Sequence, residues 1–457
     1  AIFQAGLYRV DPYRMLIDHV RLKSGVLHVD LDDYRHRVDL GDYQKIFIIG
    51  AGKATAPMAL AMEQILGDHL DGGIIVVKYG HLEELRAIEI VEADHPVPDE
   101  NGRRGAEKIL ALADQADEST LVISLISGGG SALIPFPLSW TDADGTHSLT
   151  LEDKQKTTSL LLSCGADIEE INCIRKHLSM IKGGRLIERL APARSVNFIL
   201  SDVVGDALSS IASGVTCGDP TTFRDGWRII EKYGIDSQIP DSVKLIFKKG
   251  MAADLPETVK PESASLNLTE NILIGTNMGA LNAAAEEARK RGYSVVRLTS
   301  RVVGEAREIA KMLAAIAIDC SVQSTIGSPP LCILSGGEPV VQIKGGGLGG
   351  RNQEMALAYL MEIDRHRDLC TDLSFLAAST DGNDGPTDAA GAFADLELLA
   401  RAESAGLDTA AYLSDNDSYH FFDVIGGLLK TGPTNTNVCD LHISLVAPRG
   451  TDQVKVS

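Results

Sequence analysis

Five glycine-bordered loops carry the residues whose types and spacing could do chemistry. The first reads Ile49-Gly50-Ala51-Gly52-Lys53-Ala54-Thr55, after a β-branched run and at the mouth of a helix. Gly50 and Gly52 let the backbone approach a ligand, a helix start favours an anion, and Lys53 is placed to reach a phosphate or carboxylate. The run is an incomplete dinucleotide fingerprint, because Thr55 stands where GxGxxG needs its third Gly. The next strand ends in Lys78, not in a ribose-binding acid. It is not a GxxxxGK[ST] loop either. The plain alternative is a tight turn carrying a solvated lysine.

Ser127-Gly128-Gly129-Gly130-Ser131 follows another apolar run. Successive glycines cost backbone entropy, and their N–H groups can form an anion-binding nest between two hydroxyls. In Ser201-Asp202-Val203-Val204-Gly205-Asp206, Asp202 ends a strand, and Asp202 or Asp206 suits a nucleotide-bound Mg²⁺. Asp206 equally suits a helix cap. The fourth loop, with Gly349-Gly350 at its end, leads into Arg351, whose guanidinium at a helix mouth can fork onto phosphate oxygens. The fifth carries Asp381, Asp384 and Asp388. It is no EF-hand, since Ala392 stands where the bidentate Glu belongs. Its carboxylates could hold Mg²⁺ or take a hydroxyl proton, with turn and cap duty the alternative for Asp384 and Asp388. His95, past a further strand end, reads as a hydrogen-bonded structural residue. Arg175, Lys176, Lys182 and Arg185 recur at roughly helical spacing, as a basic lining or a solvated face.

The elements that must hold these loops alternate strand, turn and helix. Short β-branched runs at 45–50, 73–77, 88–93, 120–127 and 196–202 are separated mostly by amphipathic stretches. That alternation builds a parallel sheet covered by helices on both faces. A second series of strands is expected at 271–276, 293–299, 331–335, 340–344, 374–380 and 441–446, with helices at 277–291, 303–318 and 352–363. The Pro-, Ser- and Thr-rich stretch 251–270 separates the series, so domains are expected at 1–255 and 256–457.

Composition bounds the function. At 457 residues the chain exceeds one comfortable core, and 44% hydrophobic with 23% charged residues is ordinary for a soluble globular protein. A net charge of −20 argues against nucleic acid or an anionic membrane as partner, so an anionic substrate needs a local cluster of cations. No apolar run reaches membrane-helix length and the start lacks signal-peptide order, so a cytoplasmic protein is expected. Seven cysteines without metal spacing read as reduced thiols.

Taken in order, these loops resemble the glycerate 2-kinase family, whose C-terminal region is called MOFRL. The segments that carry the resemblance include IGAGKAT (49–55), DHPVPDENG (94–102), SGGGSAL (127–133), IRKHLSMIKGGRL (174–186), SDVVGD (201–206), GGLGGRNQE (346–354), STDGNDGPTDAAG (379–391) and TGPTNTNVCDL (431–441). Departures are small: Asn435 stands where Gly is expected, which a left-handed backbone tolerates, and Val204 where Pro is usual. The resemblance implies two α/β domains, an N-terminal Rossmann-like one and a smaller C-terminal MOFRL-type one, with the active site in the interdomain cleft. It also implies transfer of the ATP γ-phosphoryl group to the 2-hydroxyl of D-glycerate, with ATP and Mg²⁺ as cofactors. Lys53 and Arg351 match the family's active-site cations. Asp202 and Asp381 join them as candidate catalytic carboxylates, and Asp202, Asp206 and Asp384 as metal ligands. Gly50, Gly52, Ser127, Gly128, Gly129, Gly130, Ser131, Gly349 and Gly350 are the candidate nucleotide-binding residues. Replacing Lys53 or Arg351 by Ala is expected to lower kcat while leaving the thermal midpoint nearly unchanged. An NAD(P)-dependent hydroxypyruvate reductase is the alternative. The oligomeric state is open, a homodimer included.

Overall fold

The computed structural model describes residues 1–142, 145–370 and 372–448. The chain divides into two compact units, Pro12–Ile274 and a second made of Ala1–Asp11 with Gly275–Ser457.

In the first unit, Lys45–Ala51 and Thr120–Ile126 are buried along nearly their whole length, as strands covered on both faces require. They lie at the centre of a six-stranded sheet ordered Thr269–Gly275, Arg194–Leu200, Thr120–Ile126, Lys45–Ala51, Gly72–Lys78, Ile88–Ala93. The last five strands pair in parallel. The chain leaves Lys45–Ala51 toward one edge and returns on its other side at Thr120–Ile126, which makes this pair a topological switch point. In open parallel sheets ligands bind outside the carboxyl ends of strands at such a point. The loops at 52–54 and 127–131 occupy those ends.

Helices Glu100–Ala113 and Arg185–Leu190 share a core with sheet residues Ile49, Val76, Val122 and Ile199. A separate apolar cluster joins helices Leu151–Ser163, Ile168–His177, Phe223–Lys232 and Asp241–Met251 through Leu161, Ile174, Phe223 and Phe247. A three-stranded antiparallel sheet of Val20–Lys23, Val26–Asp30 and Arg35–Asp39 completes the unit's larger elements; sequence patterning had not suggested it.

The second unit holds a mixed sheet ordered Ser294–Val302, Leu331–Gly337, Asp440–Val446, Leu373–Ser379, Gly391–Asp395, Leu428–Leu429. Asp440–Val446 runs antiparallel to both neighbours, so its first residue, Asp440, stands opposite Gly337 and Ser379 at their carboxyl ends. Helices Ala306–Gln323 and Arg351–Arg365 pack their apolar faces on this sheet, around Leu313, Met355, Tyr359 and Phe375.

Two strand expectations are corrected. The strand expected at 271–276 opens no second series; Thr269–Gly275 is the edge of the first sheet, where Ser195 and Asn197 hold Thr269 and Asn271 by side-chain hydrogen bonds of 2.7–3.0 Å. The compact units divide after Ile274, while the sequence pattern sets the domains at 1–255 and 256–457. The first eleven residues belong to the second unit, because Gly6 lets the helix Ile2–Arg9 approach Ala280 so closely that a Cβ would lie 3.1 Å from its carbonyl oxygen. At 340–344, Val340 forms only an isolated bridge to Glu305, and the Lys344 and Gly345 amides donate to Asn416 Oδ1 instead of to a neighbouring strand. Asn435 takes the left-handed backbone, φ 60°, that the motif demands.

Candidate active site

Ser127 ties the first two loops together. Its Oγ accepts the Ala54 N–H at 3.0 Å and lies 3.2 Å from Thr55 Oγ1, while Gly128 O accepts the Lys53 N–H at 2.9 Å. The Gly52 N–H donates to Val76 O at 3.1 Å. The amides that would cradle a dinucleotide pyrophosphate are thus already bonded within the protein. Gly52 is obligatory here, since at φ +149° a Cβ would sit 2.0 Å from Ser127 Oγ. Gly50 serves close strand packing, with Leu125 O 2.5 Å from where its Cβ would be, and Gly130 packs on Ala51 O in the same way.

The Gly128 and Gly129 amides have no bonded partner among the described residues. Three side chains close on them. A Cβ on Gly128 would lie 2.1 Å from Asp202 Oδ2, and one on Gly129 would lie 2.9 Å from the His95 ring and 3.2 Å from Lys53 Cε. Burial, then the positive charges of Lys53 and Lys78, push His95 down to about 4. The ring is therefore neutral near pH 7 and keeps one nitrogen as an acceptor. Asp206 sits left-handed at φ 59° in the turn after Asp202, with its N–H on Val203 O at 3.0 Å. The helical turn that follows starts only at Ile211, so Asp206 caps no helix there. Ser131 Oγ pairs with Ser213 Oγ at 2.7 Å.

In the second unit, Arg351 opens the helix Arg351–Arg365 but points its charge at carboxylates. Nε and Nη2 donate to the two oxygens of Asp440 at 2.6 and 3.0 Å, and Nη1 donates to Glu338 at 2.9 Å. Burial works against the guanidinium's charge, yet Asp440 and Glu338 outweigh it and hold its pKa above the ordinary value. Asp384 caps the same helix: its Oδ1 accepts the Asn352 N–H at 3.1 Å and its Oδ2 the Gln353 N–H at 2.8 Å. Burial pushes Asp384 up to about 7. Asp381 is half-buried, and its Oδ1 accepts from Ser379 Oγ and the Asn383 N–H at 2.8 and 2.9 Å. Asp388 is exposed and bonded to Tyr419 and Lys430.

The glycine run before Arg351 is filled from within. The amides of Lys344 through Leu348 donate to acceptors on Asp415, Asn416 and Asp417 at 2.7–3.1 Å. Gly349 and Gly350 abut Ser418 Oγ and Asp384, each 2.3 Å from where a Cβ would be. Close packing accounts for these glycines.

Two known families match the chain: a domain of unknown function, DUF4147, over residues 1–248, and the MOFRL family over residues 331–440. A D-glycerate 2-kinase of Thermotoga maritima is 41% identical over 403 residues, 88% of this chain and 91% of its own length. The chain belongs to the glycerate 2-kinase family. A further relative, from Agrobacterium vitis, is 41% identical over 401 residues, 87% of this chain and 86% of its own, and carries the provisional name of a hydroxypyruvate reductase. The crystal structure of a Thermotoga maritima glycerate kinase aligns with a TM-score of 0.84 at 37% identity, covering 98% of each chain.

In this member of the glycerate 2-kinase family, the first unit brings together Lys53, Gly128, Gly129 and Asp202 of the expected residues and adds His95. The second unit gathers Arg351, Asp381 and Asp384 near strand ends and adds Asp440 and Glu338. Motif spacing offered no signal for Asp440, which reads as the polar start of an apolar strand.

Proposed function

We propose that this chain transfers the γ-phosphoryl group of ATP to the 2-hydroxyl of D-glycerate, giving 2-phosphoglycerate and ADP. The observation that carries this reading is the meeting of Lys53, neutral His95 and Asp202 on the unbonded Gly128 and Gly129 amides at the sheet's switch point. Phosphoryl transfer asks mainly for positioning and charge stabilisation, and this cluster offers two N–H donors and an ammonium to phosphate oxygens. The substrate oxygen attacks the γ-phosphorus as the bond to the bridging oxygen breaks, and the hydroxyl proton leaves to a base. Asp381 and His95 are the groups proposed for that proton; His95 holds an open acceptor nitrogen at neutral pH.

Mg²⁺ fits one of its expected ligands well. The ion takes one or two carboxylates beside phosphate oxygens and water, and the half-buried Asp202 carboxylate lies against Gly128, next to the unbonded amides. Asp206, in the same turn, is the second group proposed. Bound there, the ion would neutralise phosphate charge. Asp384 fits poorly, because both its oxygens hold helix amides in a buried setting.

The reductase reading has a relative's name in its favour and the bonded amides of Gly52, Lys53 and Ala54 against it. A cytoplasmic setting belongs to the proposal: Cys164, Cys173, Cys217, Cys320 and Cys332 are free thiols. Among the described residues no helix is long and apolar enough to cross a membrane. The test is incubation of purified protein with ATP, Mg²⁺ and a panel of small hydroxy acids, with NMR identification of the phosphorylated carbon. Phosphate on carbon 2 of D-glycerate is expected. Consumption of NADH with hydroxypyruvate and no phosphorylated acid would overturn the kinase in favour of the reductase.

A further inference from the structure

Of the basic residues at 175–185, the structure explains two. Lys176 forms a buried ion pair with Asp219 at 3.0 Å. Arg185 donates to the carbonyls of Ser179 and, at 3.1 Å, Pro256. Lys182 and Arg175 remain, and Lys154 from the neighbouring helix Leu151–Ser163 joins them.

These three cations have no carboxylate partner among the described residues. Lys182 is 2% exposed and gives one N–H to Ser131 O at 2.6 Å. Lys154 is 9% exposed and gives one to Leu178 O at 3.0 Å. A protonated lysine has three donors, so each would keep two without an acceptor among the described residues. Arg175 is half-buried, so its guanidinium can be reached. Lys182 feels both of the others: it titrates well below its ordinary value through burial, then through Lys154 and Arg175, and Lys154 falls to about 7 through burial, Arg175 and Arg185. Uncompensated buried positive charge destabilises a fold, and a bound anion removes that cost. The contact of Lys182 with Ser131 puts the cluster at the far end of the Ser127–Ser131 loop, where the Ser131 and Ser213 hydroxyls pair at 2.7 Å and Ser213 Oγ donates to Asn172 Oδ1 at 3.0 Å.

We infer that Arg175, Lys182 and Lys154 hold the carboxylate of the hydroxy-acid substrate, with Arg175 making the forked contact. This inference rests on the kinase reading above. A compact, singly charged carboxylate suits one half-buried guanidinium backed by two enclosed lysines whose protonated form the anion would favour, whereas a triphosphate needs an open row of donors such as the Gly128–Gly129 turn supplies.

The experiment measures KM for D-glycerate and for ATP separately in wild type, Arg175→Gln and Lys154→Met. It adds kcat/KM for methyl glycerate, which lacks the charge, and calorimetric binding of D-glycerate without nucleotide. Arg175→Gln is expected to raise the glycerate KM at least 10-fold, leave the ATP KM within 2-fold, and erase most of the preference for glycerate over its methyl ester. Lys154→Met is expected to act in the same direction, and should it fail to fold, Arg175→Gln decides alone. A rise in the ATP KM alone would assign the cluster to nucleotide phosphates and overturn the inference, as would glycerate KM values within 2-fold of wild type. Failure of the kinase reading shows separately, as wild-type protein that phosphorylates no acid. In that event the calorimetric comparison of D-glycerate binding to wild type and Arg175→Gln still decides the carboxylate site.

Discussion

Arg351 and Asp440 form a two-pronged ion pair in which the carboxylate is wholly buried and the guanidinium about one quarter exposed, at 0% and 27%. Removing the arginine strands a buried charge. Arg351→Ala should therefore cost stability, about 2–4 kcal/mol after allowance for the exposed side of the pair, and not leave the midpoint unchanged as motif reasoning alone expects. Urea unfolding of Arg351→Ala against Arg351→Ala/Asp440→Asn checks this. The double variant should recover part of the loss; an undiminished midpoint in the single variant would show that the pair contributes little.

Lys53 presents the opposite case. Only its main chain is bonded into the turn, through Gly128 O at 2.9 Å and His81 at 3.0 Å, and no ion pair holds its ammonium among the described residues. Lys53→Ala should leave thermal unfolding within a degree or two and lower kcat/KM by roughly 100-fold or more, the usual cost of one lost donor to transition-state charge. Activity within a few-fold of wild type would remove the side chain from the chemistry.

Gly128 lets the backbone lie against Asp202. In Gly128→Ala the new methyl would stand 2.1 Å from Asp202 Oδ2, so the carboxylate must turn away. The expected result is a Mg²⁺ requirement raised on the order of 10-fold, as misplacing a metal-side carboxylate does, with a near-native circular dichroism spectrum. A Mg²⁺ titration of activity measures it. An unchanged titration would take Asp202 out of the metal site.

The sequence carried the first sheet well because parallel strands buried on both faces are uninterrupted apolar runs; Lys45–Ala51 and Thr120–Ile126 stand nearly where periodicity places them. Glycine loops marked the strand ends for the same local reason. Sheet membership is not local: nothing in residues 269–275 says that their partner is Arg194–Leu200 and not a strand of the second unit. His95 reads as a structural residue in the sequence because its neighbours, Lys53 and Gly129, reach it only through the fold. Asp440 lies 89 residues from Arg351, and Lys154 reads as an ordinary charge on a helix until its burial is known. Motif spacing thus finds the loops, while the charges that neutralise or reinforce them come from tertiary packing.

The sheet of the second unit should make stability fall in acid through His442. This side chain is 1% exposed, its Nδ1 lies 3.2 Å from Ser335 Oγ, and burial pushes it down from 6.5 to about 4. Below pH 6.5 the unfolded chain takes a proton that the folded one refuses until about pH 4, so the contribution is fully present above 6.5 and lost as pH falls through that window. At about 1.4 kcal/mol per unit the loss approaches about 3 kcal/mol. Asp384, raised to about 7, works with the opposite sign, since the folded form takes its proton first and gains stability as pH falls from 7 toward 4. The net slope of the wild type therefore mixes the two. The difference between wild type and His442→Asn isolates the histidine: unfolding free energies measured from pH 7.5 to 4.5 should converge as pH falls, the wild type losing its advantage. Parallel curves would mean that His442 protonates as readily in the folded protein as in the unfolded chain.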